Sequence, residues 1–123
     1  MKAGLRLRDI CLMMRIGHLA IERETAQAIS LDVSIDFHQP PIACDSDQLN
    51  DTVCYDQLIT GIQLLCETSH FQLLEHCAAT LYAHVKAQLS DKDAVMIGVT
   101  KCHPPIAVLQ GGAHCYYGDP VIC

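Results

Sequence analysis

The strictest constraint on the fold comes from residues 27–37, where apolar and polar side chains alternate along the chain. Five apolar residues are separated by four polar ones, in the order Ile29, Ser30, Leu31, Asp32, Val33, Ser34, Ile35, Asp36 and Phe37. Successive side chains of a β-strand point to opposite faces, so a period of two indicates a strand with one buried face. We therefore expect a half-buried strand over this segment.

A second strand is predicted upstream of the first. The apolar residues between Leu5 and Ile16 alternate more roughly, with one phase slip near Arg8 and Asp9. Such a slip is typical of a β-bulge. The two strands should pair as a hairpin across the loop 17–26, and Pro40–Pro41 should end the later strand because neither proline can donate to a ladder.

Two helices are predicted in the middle of the chain, where apolar residues recur at helical spacing. The first follows the polar stretch 45–51, and the second should begin at a capping box formed by Ser69 and Gln72. The two apolar stripes comprise Leu58, Ile59, Ile62, Leu65 and Cys66 in the first helix, and Leu74, Cys77, Ala78, Leu81 and Val85 in the second.

Strand character returns from Asp93 to Lys101, and Ala113–Tyr117 is the weakest strand prediction because its alternation is poor. The order ββααββ predicts an α+β fold in which two helices pack on one face of an antiparallel four-stranded sheet. A chain of 123 residues is of the usual size for one domain, so we expect a single domain over residues 1–123. Its two open sheet edges favour pairing between identical subunits.

The composition excludes several classes of partner. Eight Lys and Arg against fourteen Asp and Glu give a formal charge of -6, which disfavours nucleic acid and anionic lipid surfaces. The longest uncharged run near the N-terminus, Ile10 to Met14, is too short for a signal-peptide core, and no segment approaches a membrane span, so a cytoplasmic protein is expected. The eight cysteines are never closer than eight residues, which argues against metal knuckles and predicts mostly reduced, buried thiols.

Four short stretches carry candidate site residues, and each also has a purely structural explanation. Glu22 lies in the first loop, where a Glu followed by an Arg is more often a solvated pair than a catalytic acid. Residues 51–55 open the first helix, where Thr52 is an ordinary helix-start residue. Tyr55 is either a boundary aromatic or a proton donor near the helix N-terminus.

The other two stretches contain Glu75 and Lys101. Glu75 lies near the start of the second helix, where the helix dipole alone favours an acid. A carboxylate beside unpaired backbone N–H groups also matches the donor and acceptor edge of an aminopyrimidinone. Lys101 ends a strand and would ordinarily face solvent, but the rigid Pro104–Pro105 turn would hold its ammonium in place for proton transfer.

Taken together and in this order, the four stretches resemble the dihydroneopterin aldolase family. The matching segments are Ile16-Gly17 with Glu22, Ser46 to Tyr55, Leu73-Leu74-Glu75 and Lys101 to Ile106, and they extend over about residues 5–106. The resemblance implies the tunnelling fold, in which subunits join their sheets into a barrel ringed by helices. It further implies stacked rings of four subunits, a homo-octamer, with active sites between neighbouring subunits.

The resemblance also implies a reaction: retro-aldol cleavage of the pterin substrate 7,8-dihydroneopterin in folate biosynthesis, without metal or cofactor. By the same carry-over, Lys101 is the principal general acid and base, Tyr55 assists proton delivery, and Glu22 orients water or the lysine.

Substrate binding is carried over to a second set of residues. Glu75 and the backbone N–H groups of Leu74 and Val53 would hold the pterin edge, with Thr52 beside them. Two alternatives stay open: an epimerase that inverts the 2′ carbon of dihydroneopterin or its triphosphate, and a non-catalytic pterin-binding scaffold. Asp51–Val53 and the two prolines after Lys101 favour the aldolase, and no basic cluster suited to a triphosphate is present in the sequence.

Overall fold

The computed structural model describes residues 1–120 and has the predicted succession of two strands, two long helices and two strands. Short helical segments that the sequence pattern did not indicate lie in the loops before and after the second strand. The elements are β1 (Ala3–Met14), α1 (Ala20–Glu24), β2 (Gln27–Phe37), α2 (Ala43–Ser46), a 3₁₀ helix (Leu49–Asp51), α3 (Tyr55–Thr68), α4 (Leu74–Lys86), β3 (Ala94–Lys101) and β4 (Ala113–Gly118).

The four strands form one antiparallel sheet in the order β1-β2-β3-β4. The α+β prediction is therefore confirmed, and so is the weakly patterned last strand. β1 and β4 are the two edges of this sheet.

The predicted bulge in β1 is also confirmed. Leu7 pairs with Val33 and Ile10 pairs with Leu31, so two residues of β1 lie opposite one residue of β2. Asp9 adopts a left-handed conformation with φ 56°, and its backbone N–H donates to Asp32 Oδ1 at 2.8 Å. The bulge restores the apolar phase of β1, which lets the rest of the strand face the core.

The core lies between the sheet and the two long helices. One face of β2 is buried, as the alternation predicted, and the helical stripes cover it. The buried members are Ile29, Leu31, Val33 and Ile35 of β2, Leu58, Ile62 and Cys66 of α3, Cys77, Ala78, Leu81 and Val85 of α4, and Val95, Ile97 and Val99 of β3. Each fully buried Leu or Ile stabilises the fold by about 1.5–3 kcal/mol relative to an exposed one.

The predicted start of α4 is wrong, whereas α3 begins at Tyr55, within the predicted segment 51–55. Leu73 is the N-cap of α4 and Cys54 is that of α3, and neither cap makes a side-chain hydrogen bond. The Ser69 capping box does not form because Phe71, two residues later, is drawn into the core and bridges to Ile16. Tertiary pairing of this segment prevails over the local capping preference.

A polar cluster ties the end of β4 to α4 and β3. The Tyr82 hydroxyl donates to Asp119 Oδ1 at 2.5 Å, and the Lys86 ammonium donates to Asp119 Oδ2 at 2.8 Å. The Val95 backbone N–H also donates to Asp119 Oδ2, at 3.1 Å. The hydrogen bond to Asp119, followed by burial, raises the pKa of Tyr82 to about 12. The cluster therefore holds a neutral phenol against a charged carboxylate.

All seven cysteines between residues 1 and 120 are free thiols, while Cys123 lies outside the described residues. The expectation that most are buried is wrong for these seven, because only Cys66 and Cys77 among them are buried and Cys11 and Cys44 are exposed. Burial raises the pKa of Cys66 to about 11 and that of Cys77 to about 12. These two thiols stay protonated and pack as small apolar side chains.

No helix within residues 1–120 is long and apolar enough to cross a membrane. Over the same residues, no group of three His, Cys, Asp or Glu side chains could hold a metal ion.

Candidate active site

Lys101 and Glu22 form an ion pair at the end of the sheet. Among the described residues, Lys101 is the one buried polar or charged residue, with 8% of its surface exposed. It is the last residue of β3, and its ammonium donates to Glu22 Oε2 of α1. The side chains of the lysine and the glutamate are only 10% and 8% exposed. A buried ammonium needs such a partner, because desolvation of an unpaired charge costs several kcal/mol.

The pair keeps Glu22 ionised and leaves one of its oxygens free. The hydrogen bond from Lys101 lowers the pKa of Glu22 and prevails over burial, which acts in the opposite direction. Oε1 is buried and has no hydrogen-bond partner among residues 1–120. Unsatisfied buried acceptors are rare in folded proteins, so this oxygen marks a place where a ligand or water can donate a hydrogen bond.

The backbone at Gly17 allows this close packing. Gly17 has φ 153°, and a Cβ built on it would lie 2.4 Å from both Cβ and Cδ of Glu22. Only a residue without a side chain fits there. The neighbouring His18 extends over the same carboxylate, with Nδ1 3.9 Å from Glu22 Oε1.

Glu75 faces the same cavity as the ion pair. This cavity has a volume of about 290 Å³ and is lined by Glu22, Lys101 and Glu75 within a single chain. Glu75 lies in the first turn of α4, where backbone N–H groups, including that of Leu74, have no partner within the helix. A charged acid–base pair and a carboxylate beside free N–H donors therefore open onto one space.

Apolar side chains form the remaining walls of this cavity. They include Leu73 and Leu74 at the start of α4 and Pro104, Ile106 and Leu109 after β3. Mostly apolar walls with a few polar groups suit a small organic ligand such as a heterocycle.

The structure does not bring Thr52, Val53 and Tyr55 into this cavity within one chain. They line a separate groove of about 330 Å³ beside Phe37 and the first residues of β1. Tyr55 is 57% exposed there. This groove lies at the Ala3 end of the β1–β2 hairpin, and the Lys101 cavity lies at the opposite end. One copy of the chain therefore holds the predicted site residues in two groups, on separate surfaces.

His18 is an ionisable lining residue that was not selected from the sequence, although its signal was present. His18 precedes Glu22 by four residues, which is the spacing at which side chains meet on one side of a helical turn. The sequence pattern indicated only a loop here, so the helical spacing of these two residues was not recognised.

Comparison with known proteins gives consistent matches. The model of the family described as "FolB: Dihydroneopterin aldolase" matches residues 5–114. A "Probable dihydroneopterin aldolase" of Chlamydia trachomatis is 28% identical over 103 residues, 83% of each chain. Another of the same name from Chlamydia pneumoniae is 30% identical over 92 residues, 74% of this chain and 69% of that protein.

Two solved structures share the fold. The crystal structure of E. coli dihydroneopterin aldolase in complex with neopterin has a TM-score of 0.82 at 17% identity, covering 96% of this chain and 99% of that one. A putative dihydroneopterin aldolase from Vibrio cholerae has a TM-score of 0.82 at 19% identity, covering 95% of this chain and 96% of that one.

Proposed function

The chain belongs to the dihydroneopterin aldolase family, and we propose that it cleaves 7,8-dihydroneopterin into 6-hydroxymethyl-7,8-dihydropterin and glycolaldehyde in folate biosynthesis. Family membership makes it a carbon–carbon lyase. The observation that carries the proposed reaction is the shared cavity, in which the buried Lys101–Glu22 pair and Glu75 face one space of about 290 Å³.

Binding of the pterin ring follows from the start of α4. The Glu75 carboxylate accepts two N–H donors from the aminopyrimidinone edge, a bidentate arrangement that is strong because one partner is charged. The free backbone N–H of Leu74 donates to an acceptor on the same edge. Apolar walls on either side then enclose the ring, and its side chain extends toward Lys101.

Cleavage uses the substrate itself as the electron acceptor. Lys101 first releases the proton of its ammonium to solvent. The resulting amine takes the proton of the 2′-hydroxyl through water, and the bond between C1′ and C2′ breaks. Glycolaldehyde leaves while the electron pair enters the ring imine, so the reaction needs no metal or organic cofactor. Glu22 stabilises the ammonium that forms on Lys101, and this ammonium then returns a proton to C1′.

The second group of predicted residues gains a role in an oligomer. β1 and β4 leave their edges open in one chain, and the exposed Tyr116 and Tyr117 lie on β4. We propose that copies pair these edges into rings of four that stack into a homo-octamer. Each ring contact would then supply Thr52, Val53 and Tyr55 to a neighbour's Lys101 cavity, with Tyr55 assisting proton delivery.

The same proposal covers the extent of the domain and the compartment. The family match over residues 5–114 and the single sheet support the proposal that the chain is one domain. The seven free thiols, with Cys11 and Cys44 exposed, suit the reducing cytoplasm.

Incubation of the full chain with 7,8-dihydroneopterin tests the proposed function. We expect glycolaldehyde and 6-hydroxymethyl-7,8-dihydropterin in equal amounts. Release of the 2′ epimer alone would instead identify an epimerase, and pterin binding without any product would identify a binding protein.

A variant pair tests the role of Lys101. Lys101→Ala should lower turnover by about 10² to 10⁴-fold, the usual contribution of general acid–base catalysis, while pterin affinity is kept. Lys92→Ala is the matched control, since Lys92 is exposed and outside the cavity. Unchanged turnover in Lys101→Ala would remove this lysine from the mechanism.

A further inference from the structure

We propose that His18 is a specificity-determining residue that recognises, together with Glu22, a hydroxyl group of the substrate's side chain. The inference rests on the proposed function, because it assumes a pterin held with its ring edge on Glu75. It assigns to His18 a task that neither the ion pair nor the ring-binding group performs.

The geometry between His18 and Glu22 supports a bridged contact. Nδ1 of His18 and Oε1 of Glu22 are 3.9 Å apart, too far for a direct hydrogen bond, and both side chains line the Lys101 cavity. One oxygen atom placed between them can lie about 2.8 Å from each. A single hydroxyl oxygen therefore meets both distances.

The buried free oxygen of Glu22 shows that a donor is required there. The Glu22 side chain is 8% exposed, its other oxygen accepts from Lys101, and Oε1 has no partner in the described part of the chain. A buried carboxylate oxygen without a donor costs about 1–3 kcal/mol or more, so a ligand that donates to it gains affinity.

Because a bridging hydroxyl has only one proton to donate, His18 must act as the hydrogen-bond donor to it. Glu22 is ionised, so Oε1 can only accept, and the one proton of a bridging hydroxyl must be donated to it. The lone pairs of that hydroxyl are left to accept, and His18 supplies the donor through Nδ1–H. A hydroxyl satisfies both neighbours at once, whereas a methyl group satisfies neither.

The placement of His18 separates this contact from recognition of the ring. The His18 side chain is 74% exposed and belongs to the loop before α1, whereas Glu75 belongs to α4. Loss of the imidazole should therefore leave the ring site intact. Only the preference for a pterin with a hydroxylated side chain over one without it should be lost.

Binding of two unreactive probes tests the proposal with the full chain. Neopterin carries the trihydroxypropyl side chain, and 6-methylpterin has the same ring without hydroxyl groups. In His18→Ala, the preference for neopterin over 6-methylpterin should fall by about tenfold, which corresponds to about 1.4 kcal/mol, while the Kd of 6-methylpterin stays unchanged. Titration by calorimetry measures both constants.

Two further variants sharpen the test. His18→Asn keeps a donor near the position of Nδ1 and should recover part of the preference. His70→Ala is the control, because His70 is exposed and lies outside the Lys101 cavity, and it should match the native chain.

The outcomes separate this inference from the proposed function. An unchanged preference in His18→Ala, equal losses for both probes, or no recovery in His18→Asn would each overturn the role of His18. A native chain that binds neither probe would overturn the proposed function and, with it, this inference.

Discussion

The Lys101–Glu22 pair predicts an unusual response to double substitution. Lys101→Met keeps the length of the side chain but leaves a carboxylate with an 8% exposed side chain and no partner. Removal of one partner from a buried ion pair costs about 3–5 kcal/mol, because the other charge stays buried and uncompensated. Adding Glu22→Gln removes that charge, so the double variant should be more stable than Lys101→Met alone.

Urea unfolding followed by circular dichroism measures these differences, at one protein concentration because association also stabilises the fold. The double variant should recover at least half of the loss in free energy of unfolding caused by Lys101→Met. If the two substitutions instead destabilise additively, the pair is not coupled and the argument from burial is refuted.

The same pair gives a pH dependence with a definite sign. The pKa of Glu22 is lowered below its ordinary value of 4.5, chiefly by the hydrogen bond from Lys101. The ionised carboxylate therefore stabilises the native state above pH 4.5, and this contribution is lost as the pH falls through the lower native value. The difference in unfolding free energy between the native chain and Glu22→Gln should shrink over that acidic range.

Three further predictions follow from single contacts. Glu75→Ala should abolish measurable pterin binding by calorimetry without unfolding the chain, because the ring's N–H donors lose their acceptor. Gly17→Ala would place its Cβ 2.4 Å from Glu22 carbon atoms, so the free energy of unfolding should fall by about 1–3 kcal/mol and turnover should fall with it. Gly111→Ala is the control: a Cβ there would have nothing within 4 Å, so neither quantity should change. Tyr82 ionises near pH 12, so Tyr82→Phe should remove the phenolate absorbance that appears there. The stabilisation of the native state by this phenol is complete below pH 10 and is lost as the pH rises through about 12.

The sheet was predictable because one-sided burial leaves a local trace in the sequence. The alternation of Ile29, Leu31, Val33 and Ile35 indicated β2, and the phase slip at Asp9 indicated the bulge. Both signals depend only on which face is buried, and this is encoded residue by residue.

The start of α4 was not predictable in the same way. The Ser69 capping box is a strong local signal, yet Phe71 pairs with Ile16, which lies far away along the chain. Local patterns carry no information about such long-range partners, so the predicted helix began too early.

The candidate site likewise depends on long-range contacts that local sequence patterns do not encode. Convergence of Glu22, Glu75 and Lys101 on one cavity could not be read from periodicity, since it depends on how α1, α4 and β3 meet; only the resemblance to a family suggested it. The roles of these residues, and those of Val53 and Tyr55 across a subunit contact, stay predictions that the variants above can test.

The bridge between Ile16 and Phe71 has a consequence for how the cavity opens. The Gly17 N–H donates to the Phe71 carbonyl at 3.0 Å, and the Phe71 N–H donates to the Arg15 carbonyl at 3.3 Å. These main-chain bonds fasten the segment leading to Glu22 onto the segment leading to Glu75. The segments that carry Glu22 and Glu75 should therefore open together in local unfolding. The amides of Gly17 and Phe71 should then exchange with deuterium at a common rate.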